Sequence, residues 1–116
     1  MIHTLKLSDP WFDMVKMSVK KYEGRRLLDK TRQISTGDLI IFHSLLDDQP
    51  TYTKLVKRVI YFNTFEEALR VLGMDHVLPG VASIEEGIMI YSKFVSFETQ
   101  LKDGVVMIEL EDGIVN

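Results

Sequence analysis

The sequence has no cysteine, few histidines and no long apolar run. Without cysteine the chain cannot form a disulfide framework, a cysteine-ligated zinc site, an iron–sulfur cluster or a thiol nucleophile. Its three histidines, His3, His43 and His76, are too far apart for a metal site on one element, so we expect no bound metal. No segment approaches the roughly 20 apolar residues of a membrane helix, and the N-terminus has no signal-peptide core. These absences predict a soluble, cytoplasmic protein with no membrane partner.

The common enzyme motifs are also missing. The seven glycines are scattered along the chain and form neither a Walker A motif nor a dinucleotide-binding motif. There is no nucleophile elbow and no acidic cluster suited to calcium or magnesium. We therefore expect no cofactor, and most common enzyme classes are excluded.

The charge of the chain is unevenly distributed. The 116 residues fit one domain, residues 1–116, and carry a formal net charge of −3. Residues 1–63 have an excess of basic side chains, whereas residues 64–116 are strongly acidic. The basic excess is densest between residues 16 and 32, which favours an anionic ligand on one face; a solvated basic surface explains it equally well. The basic side chains of this segment are Lys16, Lys20, Lys21, Arg25, Arg26, Lys30 and Arg32.

The hydrophobic pattern predicts an α+β domain. Strands are predicted at residues 2–7, 19–26, 39–42, 51–62 and 104–110. Helices are predicted from residue 10 to near 18, over 65–72, and from 84 to about 94, with at most one helical turn in residues 27–36. No repeat, linker or low-complexity segment interrupts this order. Most of the strands are expected in one small mixed or barrel-like sheet.

The segment from Ser18 to Arg25 carries three side chains of complementary chemistry: Lys20, Glu23 and Arg25. In a regular strand Lys20 points to one face, and Glu23 and Arg25 point to the other. A register shift near Lys20 would bring an ammonium, a carboxylate and a guanidinium into one cleft. That set suits a ligand with an anionic group and hydrogen-bond donors, such as a nucleotide or nucleobase. The alternative is an exposed strand with weak cross-strand ion pairs.

The same segment resembles the Gly-x-Lys-x-x-Glu-x-Arg signature of the ASCH domain, a PUA-like family. Lys20, Glu23 and Arg25 match its charged positions, and Ser18 stands where the family usually has glycine. The likeness extends over nearly the whole chain. Further matching segments are His3-Thr4-Leu5-Lys6-Leu7, Gly37-Asp38, residues 57–60, 65–68 and 78–80, Ile90-Tyr91 and residues 104–106.

The resemblance implies a PUA-like mixed β-barrel of five or six strands with flanking helices. It also implies recognition of RNA, a nucleotide or a nucleoside in a cleft lined by the signature. Some ASCH relatives are amidohydrolases that deacylate a modified cytidine, and in an enzyme of that kind Lys20 and Glu23 would be the catalytic groups. In that branch a threonine stands at the position of Glu23.

Two further residues are candidates for ligand binding. Trp11, near the start of the first helix, is placed to stack a base or to fill part of the core. Arg58, within the long strand, lines the cleft or faces solvent. Tyr91 fits the apolar stripe of its helix and is interpreted as packing.

Three functional hypotheses follow. The first is an RNA- or nucleotide-binding module that uses Lys20, Glu23, Arg25, Trp11 and Arg58. The second is a small hydrolase acting on an acylated nucleoside. The third is a protein-interaction adaptor that uses the acidic helical half.

Overall fold

The computed structural model of the protein describes residues 1–113 as one α+β fold. The strands are β1 (Ile2–Leu7), β2 (Tyr22–Arg26), β3 (Leu39–Ser44), β4 (Tyr52–Phe62) and β5 (Val105–Asp112). The helices are α1 (Trp11–Lys16), α2 (Asp29–Arg32), α3 (Phe65–Leu72), α4 (Ile84–Ser92) and α5 (Phe97–Asp103). None of the helices within the described residues is both long enough and apolar enough to cross a membrane.

The five strands form one mixed sheet in the order β1-β3-β4-β5-β2. β1 is parallel to β3, and the other neighbouring pairs are antiparallel. The sheet curls into a half-barrel, so the predicted fold class is confirmed. β1 and β2 are its two edge strands, which places the N-terminal strand and the charged signature at the open seam of the half-barrel.

The interior strand β5, which lies between β4 and β2, is buried on both faces. Val106, Ile108 and Leu110 join the first core cluster, which contains the apolar side chains of β1, α1 and β3. Val105 and Met107 point to the opposite face and join the second core cluster, formed largely by α3 and α4. An unbroken apolar run is typical of a strand covered on both sides, and this explains why the sequence of β5 does not alternate.

The helix boundaries follow local capping chemistry. The side chains of Thr64 and Ser83 accept hydrogen bonds from the amides of Glu67 and Glu86 and so begin α3 and α4, close to the predicted positions. Gly73, at a φ of 84°, ends α3 in a conformation that favours glycine.

The structure differs from the sequence prediction in two places. Helix α5 was not predicted; Ser96 caps it by accepting a hydrogen bond from the amide of Thr99. Strand β2 begins at Tyr22 rather than at Val19, because the amides of Val19 and Lys20 both donate to the carbonyl of Met14 and extend the exit from α1. Lys20 consequently lies before the strand, so the alternation of side chains between the two faces of β2 does not apply to it.

Candidate functional site

A cavity of about 440 Å³ lies between the two edge strands of the half-barrel. β1 contributes residues 5–7, β2 contributes residues 23–26, and helix α4 with the segment after it contributes residues 90, 91, 94 and 95. The guanidinium Nη2 of Arg25 donates a hydrogen bond to the carbonyl of Lys6 at 2.6 Å and links β2 to β1 across the seam. The volume lies in the range of about 300–1,000 Å³ that is typical of small-molecule sites.

Lys20 is held deep in the wall of this cavity. Its side chain is 2 % exposed, and its ammonium donates to the carbonyl of Val77 and lies 3.9 Å from Oε1 of Glu23. The segment carrying Val77 also fixes the start of β2, because the amides of Lys21 and Tyr22 donate to the carbonyl of His76. This contact could not be predicted from the sequence, since the two segments are far apart along the chain.

Glu23 joins the two cations. Its carboxylate is almost completely buried and accepts a hydrogen bond from Nε of Arg25 at 2.5 Å, while Lys20 faces its other oxygen. Lys20, Glu23 and Arg25 all line the cavity, so the register shift that would bring them together is present. Arg25 is about a quarter exposed and lies at the outer end of the group.

The group carries one net positive charge. Burial lowers the pKa of Lys20 to about 8; the neighbouring Glu23 carboxylate opposes this shift and Arg25 adds to it. The site therefore combines a buried ammonium that titrates near neutral pH with a carboxylate held between two cations. It can donate hydrogen bonds to a ligand through nitrogen and accept them through oxygen.

Aromatic side chains form part of the remaining wall. The ammonium of Lys20 lies 5.5 Å from the ring centroid of Trp11, within the range of a cation–π contact. Phe65 and Tyr91 also line the cavity and stack in parallel, with their centroids 4.0 Å apart. Tyr91 packs as the sequence predicted, but it is at the same time part of the cavity wall.

Gly24 and the hydroxyl of Tyr91 meet at this wall. A Cβ atom at position 24 would lie 2.8 Å from the Tyr91 Oη, so this close approach requires glycine. The hydroxyl is buried and has no hydrogen-bond partner within residues 1–113. Burial also raises the pKa of Tyr91, so its hydroxyl is neutral at physiological pH.

Arg58 lies outside the cavity. A bulge between Val56 and Arg58 shifts the register of β4 against β5, so that Val56 and Val59 contact the first core cluster and Arg58 is exposed. Its guanidinium donates to Glu109 at 3.0 Å and to the hydroxyl of Tyr22 at 2.9 Å. The regular alternation assumed for β4 does not continue through this bulge, and we remove Arg58 from the candidate site.

Within residues 1–113 no group of three or more histidine, aspartate or glutamate side chains is arranged to hold a metal ion. Three charged side chains of the cavity, Lys20, Glu23 and Arg25, are instead paired with one another.

Comparison with known proteins identifies the family. The model of the ASCH domain family matches residues 5–113. The chain belongs to the ASCH domain family. No curated protein matches it.

Several solved structures share the ASCH fold of this chain. The crystal structure of the hypothetical protein PH0355 is 39 % identical, with a TM-score of 0.85 over 96 % of this chain and 98 % of that one. The solution structure of protein PF0455 from Pyrococcus furiosus is 38 % identical, with a TM-score of 0.74 over 96 % of each chain. A mutant ASCH protein from Zymomonas mobilis, ZmASCH, is 10 % identical, with a TM-score of 0.66 over 94 % of this chain and 68 % of that one; this likeness concerns the fold alone.

Membership in the ASCH family also gives a physical meaning to Ser18. This residue occupies the usual glycine position of the signature and has a φ of 61°, in the left-handed region that favours glycine. Its hydroxyl accepts a hydrogen bond from the buried ammonium of Lys54 at 2.8 Å. The left-handed turn is what separates α1 from the extended segment that carries Lys20.

Proposed function

We propose that this ASCH domain is a binding module for a nucleotide unit, free or within RNA, and that the base enters the cavity between β1 and β2. The observation that carries the proposal is the convergence of Lys20, Glu23 and Arg25 on one cavity wall. A buried ion group of this kind is costly to maintain, and perturbed ionisable groups in a cleft are typical of functional sites.

The chemistry of the wall fits the edge and the faces of a base. Glu23 accepts hydrogen bonds from ring or amino N–H groups, and the Lys20 ammonium donates to a carbonyl or ring nitrogen. Trp11 supplies an aromatic surface of the kind on which unpaired bases stack. Arg25, at the outer end of the group, is available to an anionic phosphate.

A titration at low salt tests the proposal. Trp11 is the only tryptophan of the chain and lines the cavity, so the tryptophan fluorescence comes from a residue of the site. We expect at least one of the four ribonucleoside 5′-monophosphates to change this signal saturably. We expect K20M and R25A to weaken binding roughly tenfold or more, and added salt to weaken it further.

Arg58 provides the matched control, because it forms an arginine–carboxylate pair on the outside of the sheet. R58A should bind as the wild-type protein does. Equal affinity of K20M, R25A and the wild-type protein would reject the proposal, as would the absence of saturable binding to every nucleotide.

The lowered pKa of Lys20 favours a second candidate function, hydrolysis of an acylated nucleoside. With a pKa of about 8, roughly a tenth of the Lys20 side chains are neutral at pH 7. A neutral Lys20 amine can accept a proton from water as the water adds to the amide carbon. Breakage of the carbon–nitrogen bond then releases a carboxylic acid and the free amine of the base, which takes the proton back.

Incubation with N4-acetylcytidine and chromatography of the products tests this candidate. Release of cytidine by the wild-type protein but not by K20M would support it. If the protein binds nucleotides but shows no turnover at high protein concentration, hydrolysis is rejected and the binding function is retained.

A further inference from the structure

The mouth of the cavity is bordered by three exposed apolar side chains, Leu28, Leu45 and Phe94, which we call the cavity rim. All three line the cavity, yet Leu28 is 47 %, Leu45 56 % and Phe94 71 % exposed. They come from separate segments, located before α2, after β3 and after α4. Exposed apolar side chains gathered at the entrance of a cavity that contains a charged group favour a binding surface.

The backbone holds each rim residue in place. The amides of Phe94 and Val95 both donate to the carbonyl of Tyr91, at 3.0 and 2.9 Å, which holds the backbone of residue 94 at the cavity wall. The amide of Leu45 donates to the carbonyl of Leu7 at 2.8 Å, and that of Leu28 to the hydroxyl of Thr31 at 2.8 Å. The rim is therefore organised before any ligand arrives, which lowers the entropic cost of binding.

Basic side chains lie beside the rim. Lys6 and Lys30 are exposed and line the cavity, and neither forms an ion pair with any residue between 1 and 113. An exposed aromatic ring next to unpaired lysines is the arrangement that binds single-stranded nucleic acid, because bases stack on the ring and phosphates contact the ammonium groups.

We propose that the ligand is a single-stranded oligonucleotide: one base occupies the cavity, and the adjacent base stacks on Phe94 at the rim. This inference rests on the proposed function, since the cavity must first accept a base. A free nucleotide would leave the rim exposed, whereas a strand covers it and places a phosphate near Lys6 or Lys30. The positive charge favours a nucleic acid over an apolar peptide as the occupant.

Comparison of mononucleotides with strands tests the inference. The probes are the four ribonucleoside 5′-monophosphates and the four homopolymeric RNA hexamers, each titrated at one low salt concentration. We expect the best hexamer to bind more tightly than its mononucleotide, and F94A to weaken the hexamer about five- to 100-fold, the effect of one stacked base. F94A should weaken the hexamer by a clearly larger factor than the mononucleotide, and thermal unfolding should show that it is folded.

Phe97 provides the control because it is the same residue type, is 50 % exposed and does not line the cavity. F97A should bind both probes as the wild-type protein does. The inference is overturned if hexamers bind no more tightly than mononucleotides, or if F94A and F97A bind the hexamer alike. If no mononucleotide or hexamer binds at all, the proposed function itself has failed, and this result is distinct from the other two.

Discussion

Two arginine–carboxylate pairs, each formed through the arginine Nε, lie on opposite faces of the sheet. Arg25 donates to Glu23 at 2.5 Å, and Arg58 donates to Glu109 at 3.0 Å. Tyr22 pairs with Glu109 in the register of β2 and β5, and since successive residues of a strand alternate, Glu23 points to the other face. The first pair lines the cavity together with Lys20, whereas the second borders solvent.

The difference shows that the environment of a pair, and not its chemistry, marks the candidate site. An exposed pair gains little free energy and needs no functional explanation. A buried group with a second cation requires the surrounding fold to compensate for the desolvation of three charges.

The largest difference is expected in stability. E23A leaves the Lys20 ammonium buried without its counter-ion, and we expect it to lower the free energy of unfolding by about 3 kcal/mol. The value is at the lower end for buried pairs because Arg25 is partly exposed. E109A, on the outer face, should change the stability too little to resolve. Urea denaturation of both variants measures the two effects, and similar losses would contradict the distinction.

The pH dependence of stability should be altered by substitution of Lys20 and unaffected by substitution of Arg58. Burial lowers the pKa of Lys20 from 10.5 to about 8. Between pH 8 and pH 10.5 the unfolded chain therefore binds more protons at Lys20 than the folded protein does, so the contribution of Lys20 to stability rises with pH in this range. Between about pH 7 and pH 9 the wild-type protein should gain roughly 1 kcal/mol relative to K20M. The stability of R58A should change with pH in the same way as that of the wild-type protein. A constant difference between wild type and K20M across this range would exclude a lowered pKa.

The smallest difference concerns two tyrosine hydroxyl groups. The Tyr22 hydroxyl accepts a hydrogen bond from Arg58, whereas that of Tyr91 is buried without a partner in the described part of the chain. Y91F removes an unsatisfied polar atom and keeps the stacking on Phe65, so we expect a gain of up to about 1 kcal/mol. Y22F should produce a small loss instead. Thermal unfolding measures both, and a loss in Y91F would show that its hydroxyl has a partner.

The sequence predicted the fold class and the charged signature because both depend on local patterns. The apolar run of β5 and the caps at Thr64 and Ser83 are readable from neighbouring residues. Helix α5 was missed because it has only seven residues, although Ser96 and Gly104 at its two ends are ordinary cap signals.

The candidate site could be predicted only in part. The contacts of Lys20 with Val77 and of Arg25 with Lys6 join segments that are distant in sequence, and no local sequence pattern predicts them. The sequence left open whether Arg58 lines the cleft or faces solvent, because a bulge in β4 is not visible in the amino-acid pattern. Phe94 was not singled out, since its role depends on which side chains surround the cavity mouth.

The most direct test of the central claim is a nuclear magnetic resonance titration of the ¹⁵N-labelled protein with the four ribonucleoside 5′-monophosphates. We expect saturable shifts of the single indole N–H, from Trp11, and of the backbone amides of Glu23, Gly24 and Arg25. The amides of Arg58 and Glu109 should remain unchanged. Shifts confined to the outer face, or none with any nucleotide, would contradict the claim that this cavity is a nucleotide site.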